Sequence, residues 1–462
     1  MLKSAFARIA LVLAGACLPA FAGEAAPAAP AYQDDPEIVA KLAALGEGES
    51  LLLPPVKHML DGKPVTGEGR GTNPYSRDYT NKMVYAPERR TALYAGGNHG
   101  AGRMNDVWEF HLGSNTWHCL QPAIGGDHAT HKKMLMFMPN TWSKNPDYKL
   151  TDKEQKEFDA AKAWWNEYVV LKDGHFVTKK DEAPLLVGHT WDTLVYEPNV
   201  RRMIHGTGAH CAGNPLLHAK FTGMPVEEVR AKLGKNPKGV PYKTMWTFDP
   251  AARKWEQYAS EDELATLRGM GAAMCYIPDW KKTVFYVSAQ NVTPQAHAMR
   301  TYDAVNDKWE ELKPNGGKDV ATLSIKEKVA PGSEQQTAYS AKHKKMVAVL
   351  KKSTFCYDIV KNEWSKLNDD IPIDASDSAT VFAYDDAGDV FLLADPRRGS
   401  LAAFDLVANK WQKLEPKGPG IPKPPYCVGK GYYDPAFNVF VVQSASSRSM
   451  WVYRHKKAAE QK

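Results

Sequence analysis

One spacing recurs down this chain: an acidic residue, then a tryptophan six positions later. Asp249 precedes Trp255, Asp303 precedes Trp309, Asp358 precedes Trp364 and Asp405 precedes Trp411, while His111 and Trp117 keep the step with the acid replaced. An aromatic residue stands just before each of these positions: Phe110, Phe248, Tyr302, Tyr357 and Phe404. The residues between are polar, as in Pro250–Lys254, so each segment predicts a β-hairpin. The period is roughly fifty residues, the signature of a repeat fold. The chain therefore predicts an all-β architecture, a β-propeller of radially stacked four-stranded blades.

The inner strands predict themselves by a shared tyrosine near their end. They are Met83–Pro87, Leu194–Pro198, Met274–Pro278, Thr337–Tyr339, Val381–Tyr384 and Lys430–Pro435, each followed by a polar turn and a second apolar strand. That gives six units, with the last ending after its third strand, Met450–Tyr453. Its fourth strand is expected from Ser50–Val56, which would join the two chain ends and remove open sheet edges. Two insertions interrupt the rhythm. Residues 121–185 carry an expected helix over Asp152–Tyr168, opened by Thr151 and Glu154 in a capping-box pattern. Residues 212–241 carry a shorter one near Pro225–Leu233, and both are expected over one face of the disc. A seventh, degenerate blade in residues 121–185 stays open, because Met134–Met138 and Leu171–Val177 could supply strands. A further short helix is expected over residues 36–46.

The first 22 residues read as a secretory signal: Lys3 and Arg8, an apolar run from Ile9, then Ala20-Phe21-Ala22 before Gly23. The run is too short to span a bilayer. Residues 23–34 form an Ala/Pro linker, residues 35–455 the propeller and residues 456–462 a charged tail, so a secreted or periplasmic protein is expected. Removing Lys3 and Arg8 takes the formal charge from +6 to +4, too mild for a nucleic-acid binder. After Cys17 the chain keeps Cys119, Cys211, Cys275, Cys356 and Cys427, an odd and sparse set that makes no disulfide framework.

The first unit runs Leu93-Tyr94-Ala95-Gly96-Gly97, then Asn105-Asp106-Val107-Trp108, then Trp117. This resembles the kelch repeat, whose second strand ends on a double glycine and whose third and fourth strands carry an aromatic and a tryptophan. The second unit matches in part (Gly206-Thr207-Gly208) and the later ones in rhythm. The resemblance implies a galactose-oxidase-like propeller fold. It does not bring copper-radical chemistry, because the two tyrosines, two histidines and Tyr-linked cysteine of that site find no matching set here.

Aligning the units brings distant polar residues to one rung. Fourteen positions after Tyr85 and Tyr196 stand His99 and His210. Asp78, His189 and Asp377 stand seven before Tyr85, Tyr196 and Tyr384. The loops that carry them converge on one mouth of a propeller channel, so a cluster of these five is expected. Gly188-His189-Thr190-Trp191-Asp192 pairs a titratable ring with an aromatic platform, and the glycine-rich stretch from Gly96 holds Arg103 near His99. Each has a plain alternative: a hydrogen-bonded core histidine, a tryptophan packed between blades, an ordinary glycine turn. For His205 and the repeated tryptophans the packing role is the expectation.

Three functions follow. In the first, the protein acts on carbohydrate as a polysaccharide lyase, a reading supported by architectural similarity to propeller lyases of ulvan and related glycans. Proton abstraction beside a uronate needs a base of near-neutral pKa and a clamp on the carboxylate. His189, His210 or His99 would be the base, Tyr242 or Tyr79 the acid and Arg103 the clamp, with Asn105, Trp191, Asp78, Asn291, Asp377 and Arg397 holding the chain of sugars. In the second, the same face binds a glycan or protein partner without turnover. In the third, His99, His189 and His210 hold a divalent metal in an oxidoreductase, although no full ligand set supports it and no cofactor is expected.

Overall fold

The computed structural model describes residues 32–65, 74, 82–96, 105–124, 145, 147–185, 187, 190–206, 215–233, 245–258, 272–286, 299–315, 330–331, 335–375, 380–423, 429–444 and 448–457. Six antiparallel sheets stand in a ring, and their inner strands neighbour one another in the order 1-2-3-4-5-6-1. Blade 1 runs Val84–Ala86, Thr91–Ala95, Val107–His111 and Thr116–Gln121. Blade 2 is built from Leu194–Glu197, Arg202–His205, Met245–Asp249 and Lys254–Tyr258, and blades 3 to 5 repeat the four-strand meander up to Leu414.

The recurring acid-to-tryptophan step has a physical cause at each end. Asp303 Oδ1 accepts the backbone N–H groups of Val305 and Asn306, both at 3.1 Å, and Asp249, Asp358 and Asp405 make the same pair of bonds in their blades. Four positions after each acid, Arg253, Asp307, Asn362 and Asn409 take left-handed backbone with φ between 49° and 53°, closing a turn whose twist suits a hairpin. The tryptophan then lies directly across from the aromatic that precedes the acid. In all five pairs, from Phe110–Trp117 to Phe404–Trp411, the ring centroids are 4.8–5.3 Å apart. These tryptophans are buried, and such cross-strand pairs bind the outer strand to its blade. Trp364 also lies 5.5 Å from Tyr286 of blade 3, so it joins blades as well.

The first turn of each blade repeats equally strictly. Arg90, Arg201, Lys281, Lys344, Asp389 and Asn438, each five residues after the inner-strand tyrosine, are left-handed with φ of 52–55°.

The ring closes through the N-terminal segment. Glu49–Pro55 pairs antiparallel with Ser449–Arg454 and supplies the fourth strand of blade 6, as the sequence predicts. The chain then adds two strands that no local pattern predicts. Lys57–Leu60 runs parallel to Thr116–Gln121 and returns through Lys63–Pro64, so blade 1 has six strands. Helix α1, Pro36–Ala44, starts at Asp35, whose side chain caps Glu37 N–H at 3.1 Å. Its Ile38 and Leu42 join Leu53, Trp108, Trp117, Met450 and Val452 in the core wedged between blades 6 and 1.

In the first insertion, helix α2 spans Asp152–Tyr168 with both halves of the Thr151–Glu154 capping box formed. In the second, the helix expected near Pro225–Leu233 is α4 (Val226–Lys232), and it is preceded by an unexpected one, α3 (Pro215–Thr222). The three share a small core of Trp165, Phe176, Leu185, Leu217, Phe221 and Val229. Residues Val169–Lys172 and His175–Thr178 form a separate two-stranded hairpin beside it and not a seventh blade; Met134–Met138 lies outside the described residues.

Candidate functional site

Antiparallel pairing puts the start of each inner strand at the same end of the blade as the connection between strands two and three. Inner strands of neighbouring blades run side by side in the same sense, through the parallel bridges Lys82 to Gly431 and Asp192 to Ala273. The two sets of connections therefore share one face. That loop face carries the roots of both insertions, while the opposite turn face is made of the short left-handed turns just described.

Just beneath the loop face the bore is crossed by charge. Lys82 Nζ lies 3.1 Å from Asp192 Oδ1 and donates at 2.8 Å to the carbonyl of Met274. Asp192 Oδ2 accepts the Thr337 N–H at 2.9 Å and also its hydroxyl. Lys82, Asp192, Met274 and Thr337 belong to blades 1, 2, 3 and 4, so the network spans the axis. Burial pushes the Asp192 carboxyl up, and Lys82 and Thr337 pull it back down. The Cys275 thiol beside it is pushed up to about 12 by burial, so it is no nucleophile at neutral pH. Between blades 6 and 1, Lys430 donates to the carbonyl of Pro74 at 2.6 Å and sits 4.9 Å over the Tyr94 ring.

Local geometry aims Asp192 inward. Trp191, 1% exposed, takes left-handed backbone with φ 43°, an uncommon state for so bulky a residue. The Thr193 N–H closes the turn on the Thr190 carbonyl at 2.7 Å. Two glycines permit the close approach of neighbouring strands. A Cβ on Gly206 would meet Met274 Sδ at 2.3 Å, and one on Gly431 would meet the Val441 carbonyl oxygen at 2.1 Å.

Below this network the bore holds a cavity of about 400 Å³, lined by the inner strands of all six blades. At its other end stand Tyr85, Tyr196, Tyr276, Tyr339, Tyr384 and Tyr433, one per blade. Most reach a polar group of the preceding blade. Tyr196 donates to Glu88, Tyr276 accepts from Asn199 Nδ2 at 2.9 Å, and Tyr339 donates to Asp279 at 2.6 Å. Tyr384 and Tyr433 are likewise hydrogen-bonded to Ser340 and Asp385. The tyrosine that marks each inner strand in the sequence is thus a clasp between blades.

Of the residues singled out from the sequence, three fall where the structure describes them. Trp191 is buried at the turn above the bore. Asn105, 1% exposed, is turned into the protein: its Oδ1 accepts Ile124 N–H at 3.1 Å, and its carbonyl accepts Trp255 Nε1 at 3.3 Å. Arg397 stands on the loop face of blade 5, held by Asp395 at 3.3 Å. His99, His189, His210, Tyr242, Arg103, Asp78, Tyr79, Asn291 and Asp377 lie outside the described residues. His205 is fully buried, with its ring edge-on to Trp255 at 6.5 Å. Among the described residues, no group of three or more His, Cys, Asp or Glu could hold a metal ion, and no helix is long and apolar enough to cross a membrane.

Sequence reasoning missed Lys82, Asp192 and Thr337. The signal was present as a lysine and an aspartate just before two inner strands and a threonine within a third. They stand at different distances from their tyrosines, so the unit alignment that gathered the histidines did not gather them. No protein-family model matches the chain, and no curated protein matches it.

Proposed function

We propose that the protein is an exported ligand-binding propeller that works through its loop face, and that its ligand is an acidic polysaccharide. The observation that carries this is the asymmetry of the disc. One face is reduced to turns of minimal length in every blade; the other carries every long connection, both insertions and the strained Trp191 turn. Rigid blades presenting elaborated loops at one end is the usual division between scaffold and site. Arg397, on the loop face, is a candidate cation for a uronate, and the kelch resemblance of the first blade fits such a binding disc.

In the catalytic form of this reading, His99, His189 and His210 are the candidate bases of a lyase, with Tyr242 or Tyr79 returning the proton and Arg103 clamping the carboxylate. The alternative is binding without turnover. Lys82 and Asp192 are committed to each other, to Met274 and to Thr337, which leaves neither free to move a substrate proton. One experiment separates the two. Purified protein is incubated with uronate-containing polysaccharides, and the ultraviolet absorbance of unsaturated ends is followed beside binding by affinity electrophoresis. Product formation that disappears in His189→Ala or His210→Ala, with folding intact, supports the lyase. Retardation without product supports the binding disc, and neither result on any acidic glycan overturns both.

A further inference from the structure

The turn-face end of the bore is better defined than the loop face, and the reading above makes no use of it. Each blade contributes one tyrosine there, and Tyr85, Tyr276, Tyr339 and Tyr433 are only half-buried, so part of each ring remains open to the cavity. Five of the six hydroxyls are engaged in the turns around the rim. Tyr339 donates to Asp279 and Tyr384 to Asp389, both at 2.6 Å, Tyr433 bonds Asn438 at 2.7 Å, and Tyr196 and Tyr276 bond Glu88 and Asn199. Tyr196, Tyr339 and Tyr384 donate to carboxylates, which leaves them no proton for a ligand and makes their rings richer in electrons, whereas Tyr276 accepts from Asn199 and keeps its own proton. What the rings offer the bore is therefore aromatic surface with carboxylates behind it.

Charges of both signs stand in the turns around the rim, but the charged residue that lines the cavity at this end is an acid. Asp386 lines the cavity and is exposed, and Glu88 meets the Tyr196 hydroxyl. Lys342 and Lys344 do pair with Asp389 and Asp279, at 2.5 and 3.5 Å, but their side chains are 64% and 55% exposed, where solvent screens them. The one cation in the lining, Lys82, is neutralised by Asp192 at the far end. An aromatic cage with the Asp386 carboxylate in its lining and about 400 Å³ of space suits one kind of occupant.

We propose that the turn-face end of the bore is a binding site for a small quaternary-ammonium cation, held against the tyrosine rings with Asp386 as the nearest counter-charge. An anion meets the Asp386 carboxylate and the negative faces of the rings there, and a neutral molecule of the same shape gains contact area without the electrostatic attraction. This site is separate from the loop face and does not depend on what binds there.

The test uses the full chain and isothermal titration calorimetry with tetramethylammonium chloride, with tert-butanol as the neutral isostere and sodium chloride as the salt control. The cation is expected to give a saturable isotherm and the alcohol none. Tyr276→Leu should weaken binding by roughly tenfold, Tyr276→Phe should leave it within about twofold, and Asp386→Asn should weaken it by roughly threefold. Equal binding of the alcohol, no saturation by the cation, or an isotherm unchanged in folded Tyr276→Leu overturns the proposal. If Tyr276→Leu fails to fold, Asp386→Asn decides, because its exposed side chain is not needed for packing: weakening supports the site and no change overturns it.

Discussion

Lys82 Nζ and Asp192 Oδ1 stand 3.1 Å apart inside the bore, with 19% of the lysine side chain and 4% of the aspartate side chain exposed. Removing one partner leaves the other charge buried without compensation, which typically costs about 3–5 kcal/mol. Asp192→Ala should lose that much in urea unfolding. The double variant Lys82→Met/Asp192→Leu removes both charges and should recover most of it. A double variant as unstable as Asp192→Ala would mean that packing, not charge, governs the site.

The tryptophans and the exposed turn valines of the same hairpins should behave oppositely. Trp364 is 3% exposed and touches both its own blade and blade 3, so Trp364→Ala should cost about 3–5 kcal/mol. Val360, four residues earlier, is 73% exposed, and Val360→Ala should stay within about 0.5 kcal/mol of the parent. Denaturant midpoints for the two variants check the contrast.

Two buried groups give the stability a pH dependence of opposite sign. Burial lowers His205 to about 3, so the fold holds it neutral while the unfolded chain protonates it near 6.5. Its contribution is complete above pH 6.5 and is lost as pH falls toward 3. Burial raises Glu197 to about 7, against hydrogen bonds from Asn199 and Thr283 that pull it down. Its contribution is complete below about pH 4.5 and is lost as pH rises through 7. His205→Gln should flatten the acid limb of Tm against pH, and Glu197→Gln should flatten the fall between about pH 4.5 and 7, each by about 1.4 kcal/mol per pH unit. Parallel profiles for parent and variant would refute the assignment.

Arg454 locks the seam where the ring closes. Its guanidinium donates to the carbonyls of Leu42 at 3.0 Å and Phe437 at 2.9 Å, and also to that of Leu45. Bonds from a charged donor contribute about 1.5–3 kcal/mol, so Arg454→Ala should lower stability by about that amount. It should also free α1 and the closing strand first: trypsin should cut after Lys41 and Lys57 well before it cuts the blades. Uniform cleavage across the chain would contradict a local seam.

The hairpin rhythm was readable because each of its residues has a local task. The aspartate caps two N–H groups, the left-handed residue closes the turn and the tryptophan meets an aromatic across one ladder, all within a few positions. The closing strand was readable by subtraction, since blade 6 lacked one. The Lys57–Leu60 strand was not, because a parallel partner more than fifty residues away leaves no local pattern. The Lys82–Asp192–Thr337 network was hidden for the same reason: three blades meet at an axis that no spacing along the chain encodes. Asn105 read as a ligand contact on residue type alone, yet its neighbours Ile124 and Trp255 hold it inside.

The partnership of Glu49–Pro55 with Ser449–Arg454 fixes a timetable. Nearly four hundred residues separate the two strands, so at ribosomal speed the first waits roughly 20–80 s for its mate. During that interval blade 1, complete by Gln121, can already anchor the adjoining Lys57–Leu60 in parallel. The early docking tethers a strand that would otherwise drift as an aggregation-prone loose end, and the toroid locks only when the last hairpin arrives.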